Sequence, residues 1–147
     1  MRELISALSY HISGIISATG GPEIGANIKL EPQRVRAFSE IYIACGWSHR
    51  VTKQIYSITW IRGNTRNNET IATAYRSNTI IIEQAFRSRA YIPRDFHNSG
   101  RLKLLLTDIT KHDEVDFQCK IEILVDGDGF STSYTDTDSH KLFVYCK

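Results

Sequence analysis

The sequence predicts an all-β domain, a sandwich or a barrel, on three observations. From Ser88 to the end, apolar residues recur at every second position, the repeat of a half-buried strand. No window carries the roughly 3.6-residue repeat of an amphipathic helix. Eight to nine short strand candidates are separated by clusters rich in Gly, Asp, Asn and Ser, as in sandwiches and barrels. The 147 residues, 41% of them hydrophobic and 23% charged, suffice for one domain with a real core.

Taken in order, residues 1–25 read as a leader-like or disordered extension. A charged start, a semi-apolar stretch and small residues near Ala18 suggest a secretory leader, but Glu3, Tyr10 and His11 interrupt it. The domain is expected over 26–147. Ala26–Pro32 alternates around Ile28 and Leu30, and Pro32 then breaks an edge strand. Glu40–Trp47 puts Ile41, Ile43 and Cys45 on one face, and Ile55–Arg62 does the same with Ile58 and Trp60. Residues 63–69 read as a turn, followed by strands near 70–75 and 79–86. Pro93 favours another edge. Two alternating strands follow, the first with Leu102, Leu104 and Leu106, the second with Val115, Phe117, Cys119, Ile121 and Ile123. Residues 126–139 are read as a loop from their Gly, Asp, Ser and Thr content, and a short strand closes the chain.

Composition removes several function classes. A net charge of +2 is too balanced for a histone-like nucleic-acid binder. No apolar run reaches the ~18 residues of a membrane helix. The five histidines lack metal-ligand spacing, and no nucleophile elbow or phosphate loop is present. Asp126-x-Asp128-Gly129 hints at a calcium loop but departs from it at Phe130. No enzyme, cofactor or metal is expected. Three cysteines, Cys45, Cys119 and Cys146, leave one disulfide with a spare thiol or three free thiols.

Cys45 and Cys119 lie 74 residues apart on inward faces, with Trp60 15 residues after the first. Leu104, Leu106, Ile109, Asp113, Phe117 and Cys119 follow the spacing L-x-L-x-x-I-x-x-x-D-x-x-x-F-x-C. Arg89 opens the segment before Pro93. On these residues the chain resembles the variable-type (V-set) immunoglobulin-like domains over about 26–146. The resemblance implies a two-sheet antiparallel Greek-key sandwich. It implies a Cys45–Cys119 bond between strands B and F, packed by Trp60, Phe117 and Leu106. It also implies a bidentate Arg89–Asp113 pair at the E–F turn, and C′ and C″ strands between Arg62 and Arg89. Phe117 replaces the usual Tyr, Val115 stands where Gly or Ala is common, and the Gly-x-Gly bulge of joining segments is absent.

Such domains mostly bind. The resemblance implies a non-enzymatic recognition or adhesion module of a cell-surface receptor or adhesion protein, with a secreted immune-type recognition protein as the alternative. The disulfide implies an extracellular or cell-surface location. Loops at one end (Trp47, Ser48, His49 and Arg50; Phe130 and Tyr134) or a sheet face are expected to meet a protein partner, nucleic acid not being expected. Asn68-Glu69-Thr70 is a glycosylation acceptor placed in the C–C′ loop. Residues 50–103 hold ten basic and three acidic side chains, whereas 104–147 hold four and nine. This polarity suits steered association, including with a second copy. Cys146 is the spare, a candidate inter-chain link, and its position one residue from the end suits a segment of a longer product.

Overall fold

The computed structural model describes residues 14–17, 21–63, 66–93 and 100–146. Its strands are β1 (Gly14–Ser17), β2 (Asn27–Glu31), β3 (Arg34–Arg36), β4 (Ile41–Gly46), β5 (Ile55–Gly63), β6 (Asn68–Tyr75), β7 (Ile80–Ile82), β8 (Ala90–Tyr91), β9 (Arg101–Leu106), β10 (Asp116–Gly127), β11 (Phe130–Lys141) and β12 (Phe143–Tyr145). The larger sheet has the order β1-β11-β10-β5-β6-β7, and the smaller has β2-β4-β9-β8. Most pairs are antiparallel. β1 on β11 and β3 on β12 are parallel. The architecture is the expected all-β, immunoglobulin-like sandwich.

Alternation decides which side chains meet between the sheets. Ile41, Ile43 and Cys45 from β4 and Leu102, Leu104 and Leu106 from β9 face Ile58, Trp60, Phe117, Cys119, Ile121 and Ile123 from β5 and β10, and all are buried. Cys45 and Cys119 are bonded across the gap, with Cα atoms 5.8 Å apart. Trp60 stands beside Cys119 in register. Its indole N–H donates to the Ile43 carbonyl at 3.0 Å, so the buried ring spans both sheets with its polar atom satisfied. Pro32 separates β2, in the smaller sheet, from β3, which joins β12.

One expectation is corrected. Residues 126–139 are not a loop. β10 and β11 form a twelve-residue-per-strand hairpin in continuous register from Asp116↔Lys141 to Gly127↔Phe130. Only Asp128 and Gly129 turn the chain, with Gly129 at φ +80°, where an L side chain is disfavoured. The hairpin is held further by polar contacts from one face of β11. Asp136 accepts the Ala26 N–H and Asp138 the Ile28 N–H, each at 2.9 Å. These bonds lay β2 against the middle of β11.

The packed region also begins upstream of residue 26. Ile24 is buried, and its carbonyl accepts the Ser48 N–H at 2.8 Å. Within the leader-like segment, β1 pairs with Phe130–Ser133. Residues 1–13 and 18–20 lie outside the described residues, as do Arg94 and Asp95 of the basic middle.

Beside its pairing with β3, the far end of the chain is tied by an ion pair. Glu114 Oε1 accepts the Val144 N–H at 2.9 Å, and Lys111 Nζ donates to both that oxygen and the Val144 carbonyl. The Val144 N–H, and after it the Lys111 ammonium, hold the Glu114 carboxyl below its ordinary value of 4.5. A carboxyl lowered in the folded state contributes stability that is present above the unfolded value and lost as pH falls through the folded one. Glu114→Gln should therefore flatten the loss of stability below about pH 4.5. Urea titrations at neutral and acid pH measure it, and an acid limb as steep as that of the parent chain would contradict it.

Candidate functional site

Asp113 is the most heavily engaged polar side chain at the lower end of the sandwich, and it is fully buried. Arg89 Nη2 donates to its Oδ2 at 2.8 Å, as the resemblance implied. The expected two-pronged pair is corrected in one respect. The second carboxylate oxygen is taken by Arg62, from the end of β5, which also approaches Glu69 at 3.5 Å. Oδ2 further accepts the Thr110 N–H at 2.9 Å. Both guanidinium groups lie over the Phe86 ring, at 5.5 and 5.8 Å. Two cations around one buried carboxylate form a closed structural cluster that leaves the acid no free oxygen for chemistry. Arg62 was missed from sequence, although it stands two residues after Trp60 and so faces the same way along β5.

At the opposite end, His49 and Arg50 begin a 3-10 helix, His49–Gln54, and both are exposed. Ser48 caps it by accepting the Arg50 N–H at 3.3 Å. Trp47, expected on this surface, is instead buried, and its indole N–H donates to Thr52 at 3.0 Å. Pro22, Glu23, Ser48, Arg50, Val51 and Gln54 line a cleft of about 440 Å3. Phe130 is half-buried at the first position of β11. Tyr134 pairs in register with Ile123, which turns it inward. A Cβ at Gly21 would meet its ring at 2.3 Å. Tyr134 thus packs on the segment before β2, and the expected aromatic recognition loop is replaced by a stiff hairpin tip.

The outward face of the larger sheet is built by the other half of the alternation. Thr73 and Thr59 are cross-strand neighbours with hydroxyls 3.4 Å apart, and Lys120 follows on β10. Glu122 accepts hydroxyl hydrogen bonds from Ser57 at 3.5 Å and Ser133 at 2.8 Å, which sew β5, β10 and β11 together on this face. Toward the β6–β7 turn the face becomes apolar. Tyr56, at the bulge where the register of β5 with β10 shifts, is 42% exposed, and Ile81 is 44%. Tyr56 and Tyr75 meet edge to face with ring centroids 5.6 Å apart, a geometry that holds both rings in place.

Asn68 is exposed and begins β6 rather than lying in a loop. Cys146 is a free, exposed thiol. Among the described residues, no group of three or more His, Cys, Asp or Glu side chains is placed to hold a metal ion, and no helix is long and apolar enough to cross a membrane. No protein-family model matches this chain, and no curated protein sequence matches it.

Proposed function

We propose that this chain is an extracellular recognition or adhesion module of variable-type immunoglobulin character, binding a protein partner through the outward face of the larger sheet. The strand order supports the variable type, because β6 and β7 extend the β11-β10-β5 sheet as C′ and C″ strands do. The disulfide supports an oxidising compartment. The observation that carries the binding reading is the Tyr56–Tyr75 pair, Tyr56 exposed and Tyr75 half-buried, on the sheet that also exposes Ile81 opposite Thr73. Oriented aromatic rings on a rigid surface bury much area at little entropic cost, and tyrosine is enriched where interfaces concentrate their energy. Hydroxyls of Thr59 and Thr73 border the pair and offer hydrogen bonds to a polar rim.

The remaining features suit this role. Asn68 and Tyr75 stand at opposite ends of β6, about 23 Å apart at the rise of a strand. A glycan on Asn68 would leave the tyrosines clear. The exposed Cys146 thiol offers a point of covalent linkage to a second chain.

The test uses the chain as a fluorescent multimer on cells and as a coating on beads, the beads reporting homophilic adhesion. Tyr56→Ala combined with Tyr75→Ala should weaken binding by roughly tenfold or more, with the unfolding midpoint nearly unchanged because both rings reach solvent. Undiminished staining and bead aggregation by the folded double variant would remove the tyrosine face from the interface.

A further inference from the structure

The opposite sheet carries a surface of different chemistry. Register places Glu31, Tyr42, Leu105 and Tyr91 in a single row across β2, β4, β9 and β8. All four side chains point away from the core, because their neighbours Leu30, Ile41, Ile43, Leu104, Leu106, Ala90 and Ile92 point into it. Tyr91 is 61% exposed and Tyr42 38%. They are two strand spacings apart, about 10 Å, with Leu105 between them, which makes a flat apolar strip.

Cationic charge borders the strip. Lys103 Nζ lies 5.5 Å from the centroid of the Tyr42 ring and 3.2 Å from Glu31. Lys29 Nζ approaches the same carboxylate at 4.0 Å, with 70% of its side chain exposed. One carboxylate thus serves two ammonium groups, and positive charge is left over beside the aromatic row.

We infer that this face of the smaller sheet is a binding site for an anionic glycan, a polysaccharide bearing sulfate or uronate groups. The electron-rich faces of the tyrosines suit the polarised C–H faces of pyranose rings, as they suit cations. Their separation matches two alternate rings of an extended saccharide lying along the row, with the ring between them over Leu105. Lys29 and Lys103 then meet the anionic substituents. A flat strip with hydrophobic steps and one-sided charge fits a chain laid across it better than a ligand that needs enclosure. The inference concerns the sheet opposite the Tyr56–Tyr75 face, so the two surfaces can fail independently.

The experiment is retention on immobilised heparin and chondroitin sulfate, with uncharged dextran as the neutral arm. The chain should be retained on the sulfated glycans, elute with rising salt, and pass through dextran. Tyr91→Ala and Tyr42→Ala should each weaken heparin affinity by roughly fivefold. Lys29→Gln combined with Lys103→Gln should abolish retention, while Tyr56→Ala combined with Tyr75→Ala leaves it unchanged. Passage through both sulfated columns would overturn the inference. So would retention indifferent to the two tyrosines, which marks simple ion exchange, or equal and equally tyrosine-dependent retention on duplex DNA. Self-association that disappears with Tyr91→Ala in the absence of glycan would assign the row to a second copy of the chain instead.

Discussion

Replacing the buried disulfide, as Cys45→Ala with Cys119→Val, is expected to cost the fold roughly 4 kcal/mol. The bond closes a sequence separation of 74 residues, so cutting it returns a large share of chain freedom to the unfolded state. Both sulfurs sit in the fully buried layer beside Trp60, and their removal also leaves space that the indole cannot fill without moving off its bond to Ile43. A domain of this size has about 5–15 kcal/mol of total stability, so the variant should retain only a fraction of it. Equilibrium urea unfolding measures the loss. The same experiment with reductant should shift the parent chain toward the variant and leave the variant where it is. A double variant within about 1 kcal/mol of the parent chain would show that packing alone carries the sandwich.

Asp113→Asn should be nearly as damaging, at about 3 kcal/mol, for a different reason. The amide keeps the shape of the carboxylate but abandons two guanidinium groups whose side chains are only 19% and 21% exposed. It also places an N–H group where the oxygens now accept from Arg62, Arg89 and Thr110. Removing one member of a buried ion cluster costs more than removing all of them, since the survivors remain charged and poorly hydrated. The triple replacement Asp113→Leu, Arg62→Met, Arg89→Met should therefore lose less stability than Asp113→Asn alone. Thermal or urea unfolding of the two variants decides it, and the reverse order would mean that the cluster's attraction exceeds the cost of burying it. The proposed partner binding at the opposite end of the larger sheet should survive both.

The parts of this molecule that were legible from sequence are those where one local pattern has one structural meaning. Cys45, Trp60 and Cys119 alternate inward within strongly apolar strands, so their faces follow from parity alone, and the resemblance supplied the pairing. Arg89 and Asp113 were legible as partners, but the count of ligands around Asp113 was not, because Arg62 arrives from 51 residues away. The hairpin strand Phe130–Lys141 was hidden by its composition. Ser, Thr and Asp usually signal loops because their side chains compete for nearby backbone groups. Here Asp136 does accept the N–H of the next residue, Thr137, but it and Asp138 also accept the N–H groups of Ala26 and Ile28, at the start of β2, and so hold a second strand. The Asp128-Gly129 dipeptide between two equal segments was the available signal, since Asp-Gly favours the tight turn of a hairpin. The proposed binding faces were the least legible, because they exist only once Tyr56, at the β5 bulge, meets Tyr75, the register partner of Ser57, or once register sets Tyr42 two strands from Tyr91.

The way β2 is held by Asp136 and Asp138 bears on how copies of this protein tolerate crowding. An open sheet edge invites another chain to extend the ladder, and repeated addition leads to fibres or precipitate. Along the β11–β12 edge, β1 covers the first stretch, β2 lies against the middle, and β3 covers the last. The outermost strands of the two sheets, β1, β7, β2 and β8, are four, three, five and two residues long, too short to template much. A molecule packed densely on a surface can then meet its neighbours repeatedly through side chains, with little risk that a transient encounter grows into a shared, irreversible sheet.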